Sequence, residues 1–348
     1  MAVVLAVLFF GVLQREVAKR NNPVTEAAPY PVPALAAALH NTLFVADLHA
    51  DSLLWDRDLL QRDTIGQLDI PRLIEGNVGL QVFSAVTQVP FNRNLKKNPA
   101  DNFDVITALA IAGRWPLPSW TSVRQRALYQ AEKLQSFADR SDGRLVLIRS
   151  QADLQAYLSA RQGNRTMVAG LLAVEGAQAL EGDVQNIDVL YQAGYRMLGL
   201  VHLFDNAVGG SAHGEQRQGL TGFGRSVIER AESLNMLVDL AHASPRLFDD
   251  VLAMATRPVV SSHTGVQASC AGSRNLTDAQ ITGIAATGGV VGIGYWPYAS
   301  CGEDVAAIIR SMRHVVDLVG VEHVALGSDF DGSVQTPFDT TGVALVTA

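Results

Sequence analysis

The stretch "NMLVDLAHASPRLFDDVLAMATRPVVSSH", residues 235–263, decides how this chain is built. It opens and closes with short apolar runs, Asn235–His242 and Pro258–His263, and each run ends in histidine. Between them Ser244–Ala255 has the spacing of an amphipathic helix. Strand, helix and strand in so few residues describe a parallel pair joined by a helical crossover. The pattern continues downstream as "GGVVGIGY" (Gly288–Tyr295) and "EHVALGSD" (Glu322–Asp329), separated by helical stretches at Thr277–Thr287 and Val305–Val319. Upstream it recurs as "TLFVADLH" (Thr42–His49), "GLQVFSAV" (Gly79–Val86), "MVAGLLAVE" (Met167–Glu175) and "YRMLGLVH" (Tyr195–His202), with a helix expected at Leu220–Leu234. Eight such units predict a closed (β/α)8 barrel of the TIM type rather than an open doubly wound sheet.

Two irregularities interrupt the pattern. Residues 87–165 form a long insertion with helical stretches near Phe103–Ala112 and Ser122–Ala138, and its "RLVLIRS" is a candidate extra strand. Only nineteen residues follow Asp329 and they read as loop, so the last unit is expected to lack its covering helix. The barrel domain is expected over 35–348. Before it, residues 1–34 combine the apolar "MAVVLAVLFFGVL" with the Pro-rich "NNPVTEAAPYPVPA", read as a tether. Thirteen apolar residues are too few to span a bilayer but match the core of an export signal, so an exported or membrane-anchored chain is expected, with an ordinary buried helix in a cytoplasmic protein as the alternative.

Of the 348 residues, 48% are hydrophobic and 18% charged, which is ample for a core. A net charge of −7 with no basic block excludes a nucleic-acid surface and leaves small molecules as the expected partners. A homodimer and a membrane tether through the N-terminus remain open. On their number alone Cys270 and Cys301 are compatible with free thiols or a disulfide, and the apolar N-terminus favours the disulfide.

Six of the eight runs end in a metal-capable or ionisable group: His49 with Asp51, Glu175, His202, His242, His263 and Asp329. In a parallel barrel those ends converge on one face, where enzymes of this fold place their chemistry. One strand-end histidine is unremarkable, but helix capping does not call for imidazole, a mediocre N-cap, at several strand ends. His49 and Asp51 are spaced to grip one cation, His242 and His263 to hold another, and Glu175 to bridge them with its two oxygens. Three or fewer imidazoles plus carboxylates, without thiolate, suit two Zn2+ first and Mn2+ or Co2+ next. A carboxylated lysine bridge is excluded, because none of Lys19, Lys96, Lys97 and Lys133 ends a strand, so the bridge falls to Glu175 or there is a single metal. Two cations about 3.5–4 Å apart would share a water, lower its pKa towards about 7 and polarise a carbonyl. Asp329 is then free to carry the proton or to hold its own loop in "GSDFDG", and His202 to donate a hydrogen bond to developing oxyanion charge or to sit in the core. Arg274, just before a helix expected to be capped by Thr277, could hold a substrate carboxylate or make a surface salt bridge. His40, His213, His314 and His323 are read as structural or exposed.

The motifs "DLHADSL", "AVEGAQAL", "GLVHLFDNAV", "VDLAHAS", "VVSSHTG", "SRNLTDAQI" and "ALGSDFDG" follow in this order from Phe44 to Gly332. In them the chain resembles the membrane (renal-type) dipeptidases, zinc metallopeptidases of the amidohydrolase-like barrel class. That resemblance implies a binuclear zinc centre with His49 and Asp51 on one ion, His242 and His263 on the other, and Glu175 between. It also implies that His202 contacts the scissile carbonyl region, Arg274 grips the dipeptide carboxylate and Asp329 shuttles the proton. The reaction implied is hydrolysis of dipeptides by attack of a zinc-bridging hydroxide, often with a D-residue tolerated at the C-terminal position. A disulfide between Cys270 and Cys301 is implied by the matching places of cysteines in secreted animal members. The rival readings are a deaminase or lactonase on the same scaffold, and an inactive binding protein.

Overall fold

The computed structural model describes residues 12–348, so most of the apolar run expected as a leader or anchor lies outside the described residues. Among the described residues there are nine parallel strands: β1 (Val45–Ala50), β2 (Val78–Val86), β3 (Leu145–Leu147), β4 (Val168–Glu175), β5 (Tyr195–Gly199), β6 (Leu237–Asp239), β7 (Val259–Thr264), β8 (Val291–Ile293) and β9 (Val324–Leu326). They run in the order β2-β1-β9-β8-β7-β6-β5-β4-β3. A further pairing of Leu80–Val86 in β2 with Ala169–Glu175 in β4 closes eight of them into a ring. These eight are the runs marked in the sequence. The ninth, β3, is the "RLVLIRS" segment and pairs only with the start of β4, outside the ring.

Burial explains why the strands read as apolar runs instead of alternating ones. Every residue of Val259–Thr264 is buried, because a barrel strand has side chains in the barrel on one face and helices on the other. The outer helices follow amphipathic rules. Val305–Val319 starts where Asp304 accepts a hydrogen bond from Ala307 N, buries Ala307, Ile308, Ser311 and Val315 on one face, and stops at Gly320 with φ 103°. Burying side chains the size of Ile308 or Val315 contributes about 1.5–3 kcal/mol each. Within the insertion, helices form at Val105–Ala112 and Val123–Arg140, each opened by a side-chain cap, Asp104 and Ser122.

Both ends of the described chain pack onto the barrel. The Pro-rich stretch does not hang free: Thr25 N and Glu26 N donate to Thr336 O and Pro337 O, and the Tyr30 ring meets Phe338 edge-on. After Asp329 the chain forms a short 3-10 turn at Thr340–Gly342 and one helical turn at Ala344–Thr347. That turn packs against the helix Ala34–His40, with His40 Nδ1 2.7 Å from Thr347 Oγ1, so the two ends of the described chain meet. Cys270 and Cys301 form a disulfide joining the loops after β7 and β8. No helix among the described residues is long and apolar enough to cross a membrane.

Candidate metal centre

Each strand end delivers its side chain by a local device. β1 has an irregular register between Asp47 and Ala50, and Asp47 Oδ1 accepts from His49 N and Ser328 N, which fixes the strand end against the β9 loop. Gly176, with φ 93°, turns the chain directly after Glu175, a conformation that L side chains rarely adopt. His242 and Asp329 themselves have positive φ, 63° and 59°. Non-glycine residues held there cost on the order of 1–3 kcal/mol, and such strain gathers at functional sites.

The sequence-predicted residues come together. Glu175 is at the centre: its Oε1 is 3.0 Å from His242 Nε2, 3.4 Å from His263 Nε2 and 3.6 Å from His49 Nε2. Its Oε2 is 3.2 Å from His202 Nε2, and Asp51 Oδ1 is 3.3 Å from His49 Nε2. All these side chains are buried. Three sets of ligand atoms lie within 4.8 Å of one another and could hold metal: His49, Asp51 and Glu175; Glu175, His202 and His242; and His49, His263 and Asp329.

Hydrogen-bond logic fixes which ring nitrogens are free. Ser262 Oγ lies 2.5 Å from Asp239 Oδ2, and since the carboxylate can only accept, the hydroxyl donates its proton there. The Ser262 oxygen therefore accepts from His263 Nδ1 at 2.9 Å and His49 Nδ1 at 3.3 Å. With Nδ1 protonated, the neutral rings aim Nε2 lone pairs at the cluster, the tautomer that a metal requires. His49 Nε2, Asp51 Oδ1 and Glu175 Oε2 have no hydrogen-bond partner although buried. Buried polar atoms without partners are costly, and their convergence fits divalent cations.

The electrostatics are consistent with this. Burial, then the Asp51 charge, pushes the Glu175 carboxyl well above its ordinary range, and burial, then Asp331, does the same to Asp51. Burial holds His202, His242 and His263 well below the usual imidazole value, so they stay neutral and able to ligate. Asp329 is raised to about 8, chiefly by burial and then by Asp51. Arg274 donates to His263 O at 2.6 Å; burial lowers its guanidinium to about 10 against the pull of Asp329, then Glu175. It precedes the helix Asp278–Ala286, which Thr277 opens with a capping box.

Some site neighbours were not singled out from the sequence. His213, read as structural or exposed, is buried with its ring 5.4 Å from that of His242, anchored by Leu95 O at 2.7 Å. Asp239 and Ser262 stand inside the motifs "VDLAHAS" and "VVSSHTG", so their proximity to the histidines was the available signal. Nothing in the sequence marked Arg93, which comes from the insertion and acts electrostatically on Asp51 and Asp329. Asp56 and Asp58, close to the first motif in sequence, are exposed.

Several known proteins are similar to this chain. Among curated relatives, an uncharacterised protein in the pqqA 5′ region of Klebsiella pneumoniae is 33% identical over 212 residues, 57% of this chain and 76% of that protein. Dipeptidase aclJ of Aspergillus oryzae is 25% identical over 84% of this chain and 68% of its own length. Among solved structures, a metallopeptidase described as dipeptidase AC, of family M19, superposes with a TM-score of 0.68 at 26% identity, over 88% of this chain and 90% of that one. A metallopeptidase from Rhodobacter sphaeroides, liganded with a phosphinate mimic of the dipeptide L-Ala-D-Ala, superposes with a TM-score of 0.67 at 25% identity, over 87% and 91%. The family model for membrane dipeptidase, peptidase family M19, matches residues 34–347, and the chain belongs to that family.

Proposed function

We propose that the protein is a zinc-dependent dipeptidase. The observation that carries this reading is the set of unpartnered buried atoms, His49 Nε2, Asp51 Oδ1 and Glu175 Oε2, gathered at the C-terminal mouth of the barrel. In this reading His49 and Asp51 would hold one cation, His242 and His263 would hold the other, and Glu175 would serve both. Cations bound there supply Lewis acidity and lower the pKa of a water towards about 7. The protein's own groups do the rest. Arg274 binds the terminal carboxylate of the dipeptide, and His202 donates a hydrogen bond to the carbonyl oxygen as charge develops there. Asp329 takes a proton from the attacking water and delivers it to the leaving amine, a task suited to a buried carboxyl that lies beside His49 and His263. The net reaction consumes one water and releases two amino acids. The disulfide supports an extracytoplasmic place of action.

Elemental analysis of the purified chain, followed by a panel of dipeptides ending in L- or D-residues, tests this. We expect bound divalent metal, dipeptide hydrolysis that a chelator abolishes, and recovery on adding Zn2+. Chelator-insensitive activity, or turnover of lactones or deaminase substrates in place of dipeptides, would sink the reading.

A further inference from the structure

A cavity of about 410 Å³ is continuous with the cluster, sharing Asp51 and His202 as lining residues. Its remaining wall is largely apolar. Leu54 and Trp55 come from the turn after β1, and Val89 and Ile106 from the insertion after β2. The closing wall is the helix Leu13–Asn21, which contributes Leu13 and Val17. That helix is held by specific contacts. Ala18 is buried in a cluster with Leu54, Trp55, Ile106 and Trp115; Gln14 Nε2 donates to Leu109 O at 2.5 Å; Arg15 pairs with Asp63 at 2.8 Å; and Ser333 N donates to Asn22 Oδ1 at 2.8 Å.

The topology assigns an end of the substrate to this cavity. Arg274 follows β7, and in the eight-membered ring β7 lies diametrically across from β2, which carries the insertion. A dipeptide with its carboxylate at Arg274 and its peptide carbonyl oxygen at His202, which lines the cavity, directs its first residue towards the β1 and β2 loops. We infer that the cavity closed by the helix Leu13–Asn21 receives the side chain of the N-terminal residue, and that Leu13 and Val17 make the protein selective for a large apolar residue there. This rests on the dipeptidase reading above.

The test uses the metal-loaded full chain and kcat/KM for Phe-Ala, Leu-Ala, Ala-Ala, Gly-Ala, Glu-Ala and Ala-Phe. Wild type should favour Phe-Ala and Leu-Ala over Gly-Ala by about tenfold or more, since each added methylene in an apolar pocket gives roughly tenfold or better. Val17→Trp, which fills the cavity, should lower the ratio of Phe-Ala to Ala-Ala by about tenfold while leaving the ratio of Ala-Phe to Ala-Ala in place. Val17→Ser, a smaller change at a partly exposed site, should move the first ratio in the same direction and serves if the tryptophan variant does not fold. A flat first-residue profile, a preference for Glu-Ala that points to Arg93, which also lines the cavity, or equal scaling of all substrates in both variants would overturn the inference with the dipeptidase reading intact. Wild type that cleaves none of the six overturns the dipeptidase reading, and the assignment of this wall falls with it.

Discussion

Asp331 and Glu175 are both buried carboxylates at the same end of the barrel, and their surroundings differ in one respect. Asp331 is saturated: it accepts from Ser52 Oγ at 2.6 Å and Gln67 N at 2.7 Å, and it pairs with the buried Arg57. Glu175 faces histidine Nε2 atoms, and its Oε2 has no hydrogen-bond partner. Both are enclosed to a similar degree, so burial alone does not separate a structural acid from a reactive one. Unspent bonding capacity does. Asp331 ties the β9 loop to the turn after β1, and the stiff loop so formed positions the open cluster beside it.

This contrast can be broken at either carboxylate. Glu175→Gln should have the largest effect, with loss of bound metal and a fall in dipeptide turnover on the order of 10³-fold, because in the proposed reading Glu175 supplies the charge that two cations would share. Metal content and kcat measured on one preparation check it, and a variant that keeps its metal and its rate would remove Glu175 from the centre. Asp331→Asn should act in the other currency. Leaving Arg57 buried without its partner costs about 3–5 kcal/mol of stability by chemical denaturation, while the metal bound per folded molecule stays as in wild type. Loss of metal without loss of stability would reverse the roles assigned here.

A smaller effect appears with pH in the metal-free chain. Asp329, Asp51 and Glu175 have folded pKa values above their unfolded ones, so their contribution favours folding at low pH and is lost as pH rises, up to about 8 for Asp329. His202, His242 and His263 have depressed values, so they oppose folding below the ordinary imidazole pKa of 6.5 and stop doing so above it. The two trends compete below pH 6.5, and only the carboxylate trend remains between 6.5 and about 8. Asp329 alone should then cost the metal-free protein about 2 kcal/mol across that window. Thermal melts with chelator should show the decline, and melts with Zn2+ should not, since bound cations stabilise the ionised carboxylates.

Much of the ring and its mouth was legible because the relevant signals are local. Six of the eight β-rich runs end at a metal-capable or ionisable residue, and "SSH" or "AVEG" declares both the strand and the group it presents. The N-terminal stretch was not legible in this way. Its Pro-rich composition reads as a tether, yet Thr25 and Glu26 bond to Thr336 and Pro337, partners at the far end of the chain. His213 escaped for a related reason: it sits in a loop with no strand to mark its direction, and only the folded chain brings it beside His242.

The sequence by itself determined the parallel barrel and the kinds of group at its mouth, since the order of apolar runs, helices and strand-end residues is a property of neighbours along the chain. Tertiary structure decided what those groups face. That Ser262 gives its proton to Asp239 and thereby sets the tautomers of His49 and His263, that Asp331 is saturated while Glu175 is not, and that Val17 lines the cavity beside Asp51 are all facts of long-range placement. Hydrogen-bond saturation and pocket shape depend on atoms distant in sequence, and only the closed barrel brings them within reach.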